Sequence, residues 1–285
     1  MKNVISASRR TDIPAFYLSW FIDAVKSGKI KVRNPYNKKI HFDVKLDPAS
    51  VEWIVFWSRN YASFLKHNHF FIDYNLFFHF TIVTHHPMME QNYLQTEKAL
   101  KQIEMLANIY GSDHIIWRYD PIVIWENNST VETNFQRPHF EFLCSKMSEI
   151  GVKSCYFSFV SEYAKFKQRL KKISPKIKLL QQSESEKFNI LQIINDISNK
   201  HKIQLYSCCN DRLTGNGILK GSCISGYLLN RLSDKNKISE AKTATRKDCG
   251  CTKSIDIGDY DMQPCYFGCI YCYANPVINQ NNPEQ

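Results

Sequence analysis

The sequence predicts an α/β fold built on a parallel barrel of the TIM type, complete or partial. Short apolar segments alternate along the chain with longer amphipathic ones, which is the strand and helix order of parallel α/β proteins. With 285 residues, the chain is long enough to bury one large core. The predicted strands are rich in Ile, Val, Phe, Tyr and Trp, and they span residues 4–7, 53–57, 76–83, 114–118, 154–160, 203–207 and 254–257.

Helices are predicted between these strands. Pro14 suits the first turn of a helix and Asp12 can cap it, whereas Gly111 and Gly151 stand where two later helices should end. An inserted hairpin is predicted over residues 31–44, because its Asn-Pro-Tyr-Asn segment favours a turn. The predicted helices cover residues 14–27, 89–110, 131–150 and 185–201.

The organisation of the chain changes near residue 208, after which glycine, cysteine and charge increase and the periodicity weakens. Residues 1–207 are therefore predicted to form the body of the barrel. Residues 208–285 are predicted to be a cysteine-rich iron–sulfur region. This region would complete the barrel with strand 254–257 and would carry a cluster loop over residues 265–272.

The chain shows no sign of export or of membrane insertion. Its first ten residues lack the apolar stretch of a signal peptide, and no segment approaches the ~18 apolar residues of a membrane span. We therefore expect a cytoplasmic protein with no membrane partner. In such a protein, clustered cysteines indicate metal ligands rather than disulfides.

Three cysteines near the C-terminus, Cys265, Cys269 and Cys272, have the spacing C-x3-C-x2-C. Three thiolates on one short loop can ligate three irons of a [4Fe–4S] cluster and leave the fourth iron open to a small molecule. Structural zinc is the alternative, but zinc prefers four ligands, often in paired C-x2-C units, and no matching pair is present. The spacing therefore favours a cluster that binds S-adenosyl-L-methionine (SAM), with an aromatic residue, Tyr271, before the last ligand.

A second group of cysteines precedes this loop, and it predicts a second [4Fe–4S] cluster. Its ligands would be Cys208, Cys223, Cys249 and Cys251, which lie in turn-prone sequence or at a strand end. The spacing does not decide between Cys208 and its neighbour Cys209. The alternative is a set of buried thiols that act only as small apolar side chains.

Polar side chains follow several predicted strands, and the carboxyl ends of barrel strands converge on one mouth. The residues predicted to act in catalysis are Arg9, Arg10, Asp12, Arg118 and Asp120. The residues predicted to bind the cofactor are Ser6, Trp57 and Tyr271. The structural alternative is that Asp12 only caps a helix and that Arg118 and Asp120 form an ion pair.

The formal net charge is +10, and part of it lies in one run without an acidic residue. The run favours a solvated helix face, and the alternative is a surface for an anionic partner such as nucleic acid. Its members are Lys165, Lys167, Arg169, Lys171, Lys172, Lys176 and Lys178.

The loop P-C-Y-F-G-C-I-Y-C-Y-A-N, residues 264–275, resembles the cluster loop of spore photoproduct lyase-like radical SAM proteins. Almost end to end, the chain resembles the prokaryotic family called domain of unknown function 1848. The resemblance implies iron–sulfur binding and a barrel. It also supports Cys208 over Cys209 as the ligand. The segments that carry it are residues 5–14, 32–37, 54–58, 117–121, 221–224, 249–251 and 254–256.

Radical SAM proteins ordinarily carry the three-cysteine loop after their first strand, whereas here it follows the last one. A circularly permuted barrel would preserve the site, because the last strand of a barrel neighbours the first. We therefore expect strand 254–257 beside strand 4–7. The cluster loop should then open with the strand-end arginines onto a cavity that can hold SAM.

Together these features predict an iron–sulfur protein and, more specifically, a radical SAM enzyme. It would generate a 5′-deoxyadenosyl radical and act on an unknown, anionic or nucleic-acid substrate. A reducing electron donor such as a flavodoxin or ferredoxin would be required. The alternatives are a two-cluster electron-transfer protein without enzymatic activity and a metal-stabilised nucleic-acid-binding protein.

Overall fold

The computed structural model describes residues 1–173, 176–233, 237–243, 246 and 248–278. The strands are β1 (Asn3–Ala7), β2 (Lys29–Arg33), β3 (His41–Lys45), β4 (Val51–Ser58), β5 (Asn75–Thr81), β6 (Ile115–Ile122), β7 (Ile124–Asn127), β8 (Thr130–Thr133), β9 (Ser154–Phe159), β10 (Ile177–Leu179), β11 (Gln204–Cys208), β12 (Leu219–Gly221) and β13 (Ile255–Asp256). The α-helices are α1 (Ile13–Phe16), α2 (Leu18–Ser27), α3 (Ala62–His67), α4 (Thr96–Tyr110), α5 (Arg137–Ile150), α6 (Ala164–Ile173), α7 (Glu184–Lys200) and α8 (Gly226–Leu232).

Eight strands form one sheet in the order β12-β11-β9-β6-β5-β4-β1-β13, and neighbouring strands run parallel. The last strand of the chain lies beside the first, with Ile5 opposite Ile255 and Ser6 opposite Asp256. The predicted α/β class and the predicted pairing of strand 254–257 with strand 4–7 are therefore confirmed.

The sheet does not close, so the predicted TIM barrel is not shown by this structure. The edge strands β12 and β13 have three and two residues, and no ladder joins them in the described parts of the chain. Near these two edges, separate hydrogen bonds join the segment after β12 to the segment before β13. The Thr252 amide donates to the Ile224 carbonyl oxygen at 2.9 Å, and the Ser222 hydroxyl donates to the Gly250 carbonyl oxygen at 2.9 Å. Barrel closure needs a continuous staggered ladder, which edges this short do not provide.

Most predicted elements are present with shifted ends. The hairpin is confirmed by the antiparallel pair β2 and β3, and Gly111 and Gly151 follow the ends of α4 and α5. The helix predicted over residues 89–110 begins only at Thr96, because residues 89–92 bond to the C-terminal loop instead. The helix predicted over 131–150 begins at Arg137, after β8. No helix in the described part of the chain is long and apolar enough to cross a membrane.

The two faces of the sheet bury different cores. One face packs on the surrounding helices, with side chains such as Ile54, Phe56 and Phe78. The alternate residues of the same strands, such as Trp53 and Phe77, face Cys208, Cys223, Cys251, Ile224 and Leu229. Burial of one large apolar side chain contributes roughly 1.5–3 kcal/mol to the stability of the folded state. The cysteine-rich region is therefore packed against the sheet as part of its core.

Candidate metal and cofactor site

A cavity of about 580 Å³ opens where the parallel strands end. It brings together most of the residues that the sequence singled out, although these come from distant parts of the chain. Those that line it are Arg9, Arg10, Asp12, Trp57, Arg118, Asp120, Cys208, Cys223, Cys265, Cys269, Tyr271 and Cys272. Ser6, Cys249 and Cys251 are not part of its lining. The cavity therefore borders both cysteine groups at once.

The three-cysteine loop, residues 265–272, is held on one side by the chain that follows β5. The Ile270 amide donates to the Met89 carbonyl oxygen at 3.0 Å, and the Asn92 amide donates to that of Phe267 at 3.0 Å. Between these bonds, Gly268 has φ +65° and packs so closely that an added Cβ would lie 2.9 Å from the Gln91 Cβ. The loop therefore needs glycine at this turn, both for its dihedral angle and for space.

On its other side the three-cysteine loop is held by α6. The guanidinium of Arg169 donates to the carbonyl oxygens of Ile270 at 2.8 Å, of Ala274 at 3.4 Å and also of Cys272. Lys165 donates to Asn275 Oδ1 at 2.8 Å. These members of the basic run are therefore not simply solvated, since they fix the backbone around Cys272.

Cys269 is buried, and Cys265 and Cys272 are partly buried. Burial raises the pKa of Cys265 and Cys272 and brings that of Cys269 to about 12. Such thiols are neutral at pH 7 unless a bound cation stabilises the thiolate. The Ala274 amide donates to Cys272 Sγ at 3.4 Å, which is a bond that a cluster thiolate can accept. The loop thus places three cysteines on the cavity wall, and thiolates are the ligands that iron–sulfur clusters use.

The other five clustered cysteines form a thiol ring of Cys208, Cys209, Cys249, Cys251 and Cys223. Cys208 Sγ lies 3.6 Å from Cys223 Sγ and 4.0 Å from Cys209 Sγ, and thiol hydrogen bonds join Cys209 to Cys249 and Cys251 to both Cys249 and Cys223. Each thiol therefore has two sulfur neighbours in the ring. Cys208 and Cys209 both belong to it, and the structure does not choose between them as ligands.

A single tetrahedral ion would need every pair of its four sulfurs about 3.8 Å apart, given Zn–S bonds of about 2.3 Å. A ring gives that spacing only between neighbours. Accordingly, within the residues that the structure describes, no group of three or more His, Cys, Asp or Glu side chains is arranged to hold a metal ion. The irons of a [4Fe–4S] cube lie at separate corners, so its thiolates must lie further apart than the 3.6 Å between Cys208 Sγ and Cys223 Sγ. A cluster on this ring would therefore require its side chains to separate.

Arg118 is the charged partner of the thiol ring. Its Nη1 donates to Cys223 Sγ at 3.1 Å, its Nη2 lies 3.8 Å from Cys208 Sγ, and it forms an ion pair with Asp120. Hydrogen bonds from Cys208 and Cys251 lower the pKa of Cys223, and the Arg118 charge lowers it further. The structural alternative, an ion pair between Arg118 and Asp120, is therefore present, but Arg118 also contacts the thiols of Cys223 and Cys208.

Asp12 is buried, and its carboxylate is fully used by its neighbours. It caps α1 by accepting from the Ala15 amide at 3.0 Å, and it also accepts from the Ser58 hydroxyl at 2.7 Å and the Arg59 amide at 2.9 Å. Burial raises its pKa to about 6 despite these bonds. The predicted capping role of Asp12 is confirmed, and its carboxylate also reaches the cavity wall.

The sequence reasoning missed Asp256, which organises the chain after β1. Its carboxylate accepts from the hydroxyls of Ser6 and Ser8 at 2.6 Å each and from the Arg9 amide at 2.9 Å. Ser6 was predicted to bind the cofactor, but its hydroxyl is buried on Asp256, below the cavity lining. Asp256 could have been found from the pairing of strand 254–257 with strand 4–7, which places it opposite Ser6.

Glu90 was also missed, and it explains the position of Tyr271. The Tyr271 hydroxyl donates to Glu90 Oε1, and Arg59 Nη2 lies 2.5 Å from the same oxygen and 2.8 Å from the hydroxyl. Burial alone would raise the pKa of Glu90, but the Arg59 charge and these hydrogen bonds lower it to about 2. Nothing in the local sequence marks Glu90, because its partners are 31 and 181 residues away.

The cavity wall has more arginine than carboxylate side chains, and it includes aromatic rings. Five arginines line it, against the two carboxylates of Asp12 and Asp120. One of them, Arg246, has no carboxylate partner among the described side chains and contacts the Tyr163 hydroxyl at 3.3 Å. Trp57 lies on the wall, stacked on His79 with ring centroids 4.8 Å apart.

A comparison with protein families gives a match over residues 4–274, which is nearly the whole chain. The chain belongs to the family described as Domain of unknown function (DUF1848). The resemblance stated from the sequence is thereby confirmed for the family. No curated protein and no solved structure matches the chain. The family assignment covers both cysteine groups and the strand-end residues, and it carries no reaction with it.

Proposed function

We propose that this chain is an iron–sulfur enzyme of the radical SAM type, with a [4Fe–4S] cluster on Cys265, Cys269 and Cys272. One observation carries the proposal: the three thiols and the strand-end arginines and aspartates line the same cavity, which has a volume of about 580 Å³. Ligand sites of this size and mixed polarity are typical of enzymes, and they lie at the carboxyl ends of parallel strands.

The bound cluster would supply the electron that cleaves the C–S bond of SAM. The chain would hold the cofactor around it. Arg9 and Arg10 can bind a carboxylate, Asp120 can accept from an amino group or a ribose hydroxyl, and Trp57 offers a ring for stacking. Arg59 and Arg169, which lie against the three-cysteine loop, favour the negative charge of the thiolates.

The thiol ring would hold the second cluster, with four ligands from Cys208 or Cys209, Cys223, Cys249 and Cys251. Arg118 offsets its negative charge from a buried position. The proposed clusters require a reducing compartment such as the cytoplasm.

The substrate we propose is anionic, because arginines outnumber carboxylates in the cavity and Arg246 has no described carboxylate partner. A phosphate or carboxylate group would bind such a wall in bidentate fashion. The second candidate function, a two-cluster electron carrier, is favoured by the closeness of both cysteine groups to one cavity. It does not account for the volume of that cavity.

Anaerobic reconstitution with iron and sulfide tests the proposal. We expect about two [4Fe–4S] clusters per chain by Mössbauer spectroscopy. Adding SAM should change the electron paramagnetic resonance spectrum of the reduced protein, and 5′-deoxyadenosine should form. Replacement of Cys265, Cys269 and Cys272 by alanine should remove one cluster, the spectral change with SAM and the formation of 5′-deoxyadenosine. Cys144→Ala, outside the cavity, should leave all three unchanged. Two clusters that do not respond to SAM would favour the electron carrier instead.

A further inference from the structure

We propose that the outer face of α6 is the docking surface for an acidic electron-carrier protein that reduces the cluster on the three-cysteine loop. This inference rests on the proposed function, because it requires a cluster at that loop. Two independent features of α6 lead to it: the charge on its exposed face and the contacts of its inner face.

The charge of α6 is entirely positive. Its ten residues include four lysines and one arginine and no acidic residue. Phe166 and Leu170, one turn apart, are buried, whereas Lys167, Lys171 and Lys172 are exposed on the other side. Lys167 is paired with Glu162, but in the described residues no carboxylate pairs with Lys171 or Lys172. The outer face therefore has a net positive charge that the chain itself does not neutralise.

The inner face of α6 lies directly on the three-cysteine loop. Phe166 and Leu170 belong to the same apolar cluster as Phe267 and Ile270 of that loop. Arg169, between them, donates to three carbonyl oxygens in and beside the loop, including that of Cys272. A helix with its side chains is about 10–12 Å across. A carrier on the outer face would thus be separated from the loop by about one helix diameter.

An acidic carrier protein fits this face better than nucleic acid does. Opposite charge speeds the encounter of two proteins, and electron-transfer partners need only a small, transient interface. Nucleic-acid surfaces usually add arginine and exposed aromatic rings for stacking. On α6 the only arginine and the only aromatic ring, Arg169 and Phe166, are turned towards the loop. Nucleic-acid binding would also not require the inner face of α6 to contact the three-cysteine loop, whereas electron transfer to that loop would.

Stopped-flow reduction of the reconstituted protein tests the proposal, with reduced flavodoxin as the acidic carrier. The test variant is Lys171→Glu/Lys172→Glu. The matched control is Lys98→Glu/Lys101→Glu, which makes the same change of charge at exposed positions on α4. Photoreduced deazaflavin, a small reductant without a docking requirement, shows whether the cluster of each variant is intact and reducible.

We expect the α6 variant to lower the second-order rate constant with flavodoxin about tenfold, within the range that electrostatic steering gives. The deficit should shrink at high salt, where surface charges are screened. The α4 variant should react like the wild type, and deazaflavin should reduce all three proteins alike.

Equal rates for the α6 and α4 variants with flavodoxin would overturn the docking proposal alone, because the cluster would still be reducible. Salt-dependent binding of a DNA or RNA oligonucleotide that is lost only in the α6 variant, with flavodoxin rates unchanged, would overturn it in favour of nucleic acid. A three-cysteine loop that binds no reducible cluster in the wild type would overturn the proposed function as well.

Discussion

Arg118 Nη1 lies 3.1 Å from Cys223 Sγ, so a buried guanidinium donates directly to a thiol that we assign to the second cluster. Its Nη2 reaches Asp120 and lies 3.8 Å from Cys208 Sγ. One side chain from the middle of the sheet thus connects the strand-end polar residues to the thiol ring.

Arg118→Lys keeps a positive charge near Asp120 but cannot donate to two sulfurs and a carboxylate at once. We expect an about 10–100-fold loss of affinity for the second cluster, as is usual when a group that supports the ligands is replaced. The measurement is iron release to a chelator in a background of Cys265→Ala, Cys269→Ala and Cys272→Ala. Arg137→Lys, exposed at the start of α5, is the control. Identical release from both variants would contradict this role of Arg118.

Asp256→Asn should destabilise the apoprotein. The carboxylate accepts from Ser6, Ser8 and the Arg9 amide and is nearly buried, so its loss leaves several donors and two arginines without their charged partner. We expect a loss of about 3 kcal/mol in the free energy of unfolding, the size found when a buried charge pair is broken.

Urea unfolding at pH 7 measures this loss. Asp43→Asn, at an exposed position of β3, should change the free energy of unfolding by less than about 0.5 kcal/mol. If Asp256→Asn were equally mild, the chain after β1 would be positioned by something other than Asp256.

The contribution of Asp259 to stability should depend on pH. Partial burial would raise the pKa of Asp259, but hydrogen bonds and charge from Arg33 lower it to about 2, below its ordinary value of 3.8. A carboxyl with a lowered pKa in the folded state stabilises it above the unfolded pKa, and this contribution is lost as pH falls towards the folded value. The stability difference between wild type and Asp259→Asn should therefore be constant above about pH 5 and should narrow below 3.8.

Unfolding by urea between pH 6 and pH 2.5 checks this dependence, with each variant compared at each pH. We expect the stability difference to narrow on acidification because Arg33 forms an ion pair with the Asp259 carboxylate, with N–O distances of 2.6 and 2.5 Å. A difference that widened on acidification would mean that this carboxyl is more basic in the folded protein than in the unfolded one.

The regular part of the fold was predictable because its signals are local. Apolar runs located seven strands of the main sheet, and the hairpin turn was marked by its own residues. The eighth strand, β12, has the sequence Leu-Lys-Gly and carries no apolar run. The open edge of the sheet follows from the shortness of β12 and β13, which depends on tertiary packing and leaves no pattern in the sequence.

The candidate site was predictable where its chemistry needs special residue types. Cysteine spacing located both cysteine groups, and the order of the strands placed Arg9 and Arg118 at one mouth. Glu90, Arg169 and Asp256 were missed as functional positions, because their partners are far away in the sequence. For α6 a local signal existed: Phe166 and Leu170, four residues apart, mark a helix face that must be buried, and the basic run obscured it.

Gly268→Ala should remove the cluster from the three-cysteine loop. Alanine at φ +65° costs about 1–2 kcal/mol, and its Cβ would also lie 2.9 Å from the Gln91 Cβ, so the loop and residues 89–92 must move apart. The three thiols would then lose their common position on the cavity wall. We expect about half of the iron to be lost on anaerobic reconstitution, since the thiol ring should still hold its own cluster.

Gly28→Ala is a matched control for this substitution. Gly28 has φ +69°, but an added Cβ there would contact nothing within 4 Å, so the variant suffers the same dihedral cost without the clash. The unfavourable backbone dihedral angle should therefore lower the free energy of unfolding by a similar amount in both variants. Only Gly268→Ala should lose iron. Full iron content in Gly268→Ala, measured together with its electron paramagnetic resonance spectrum, would show that the close contact with Gln91 does not position the three cysteines.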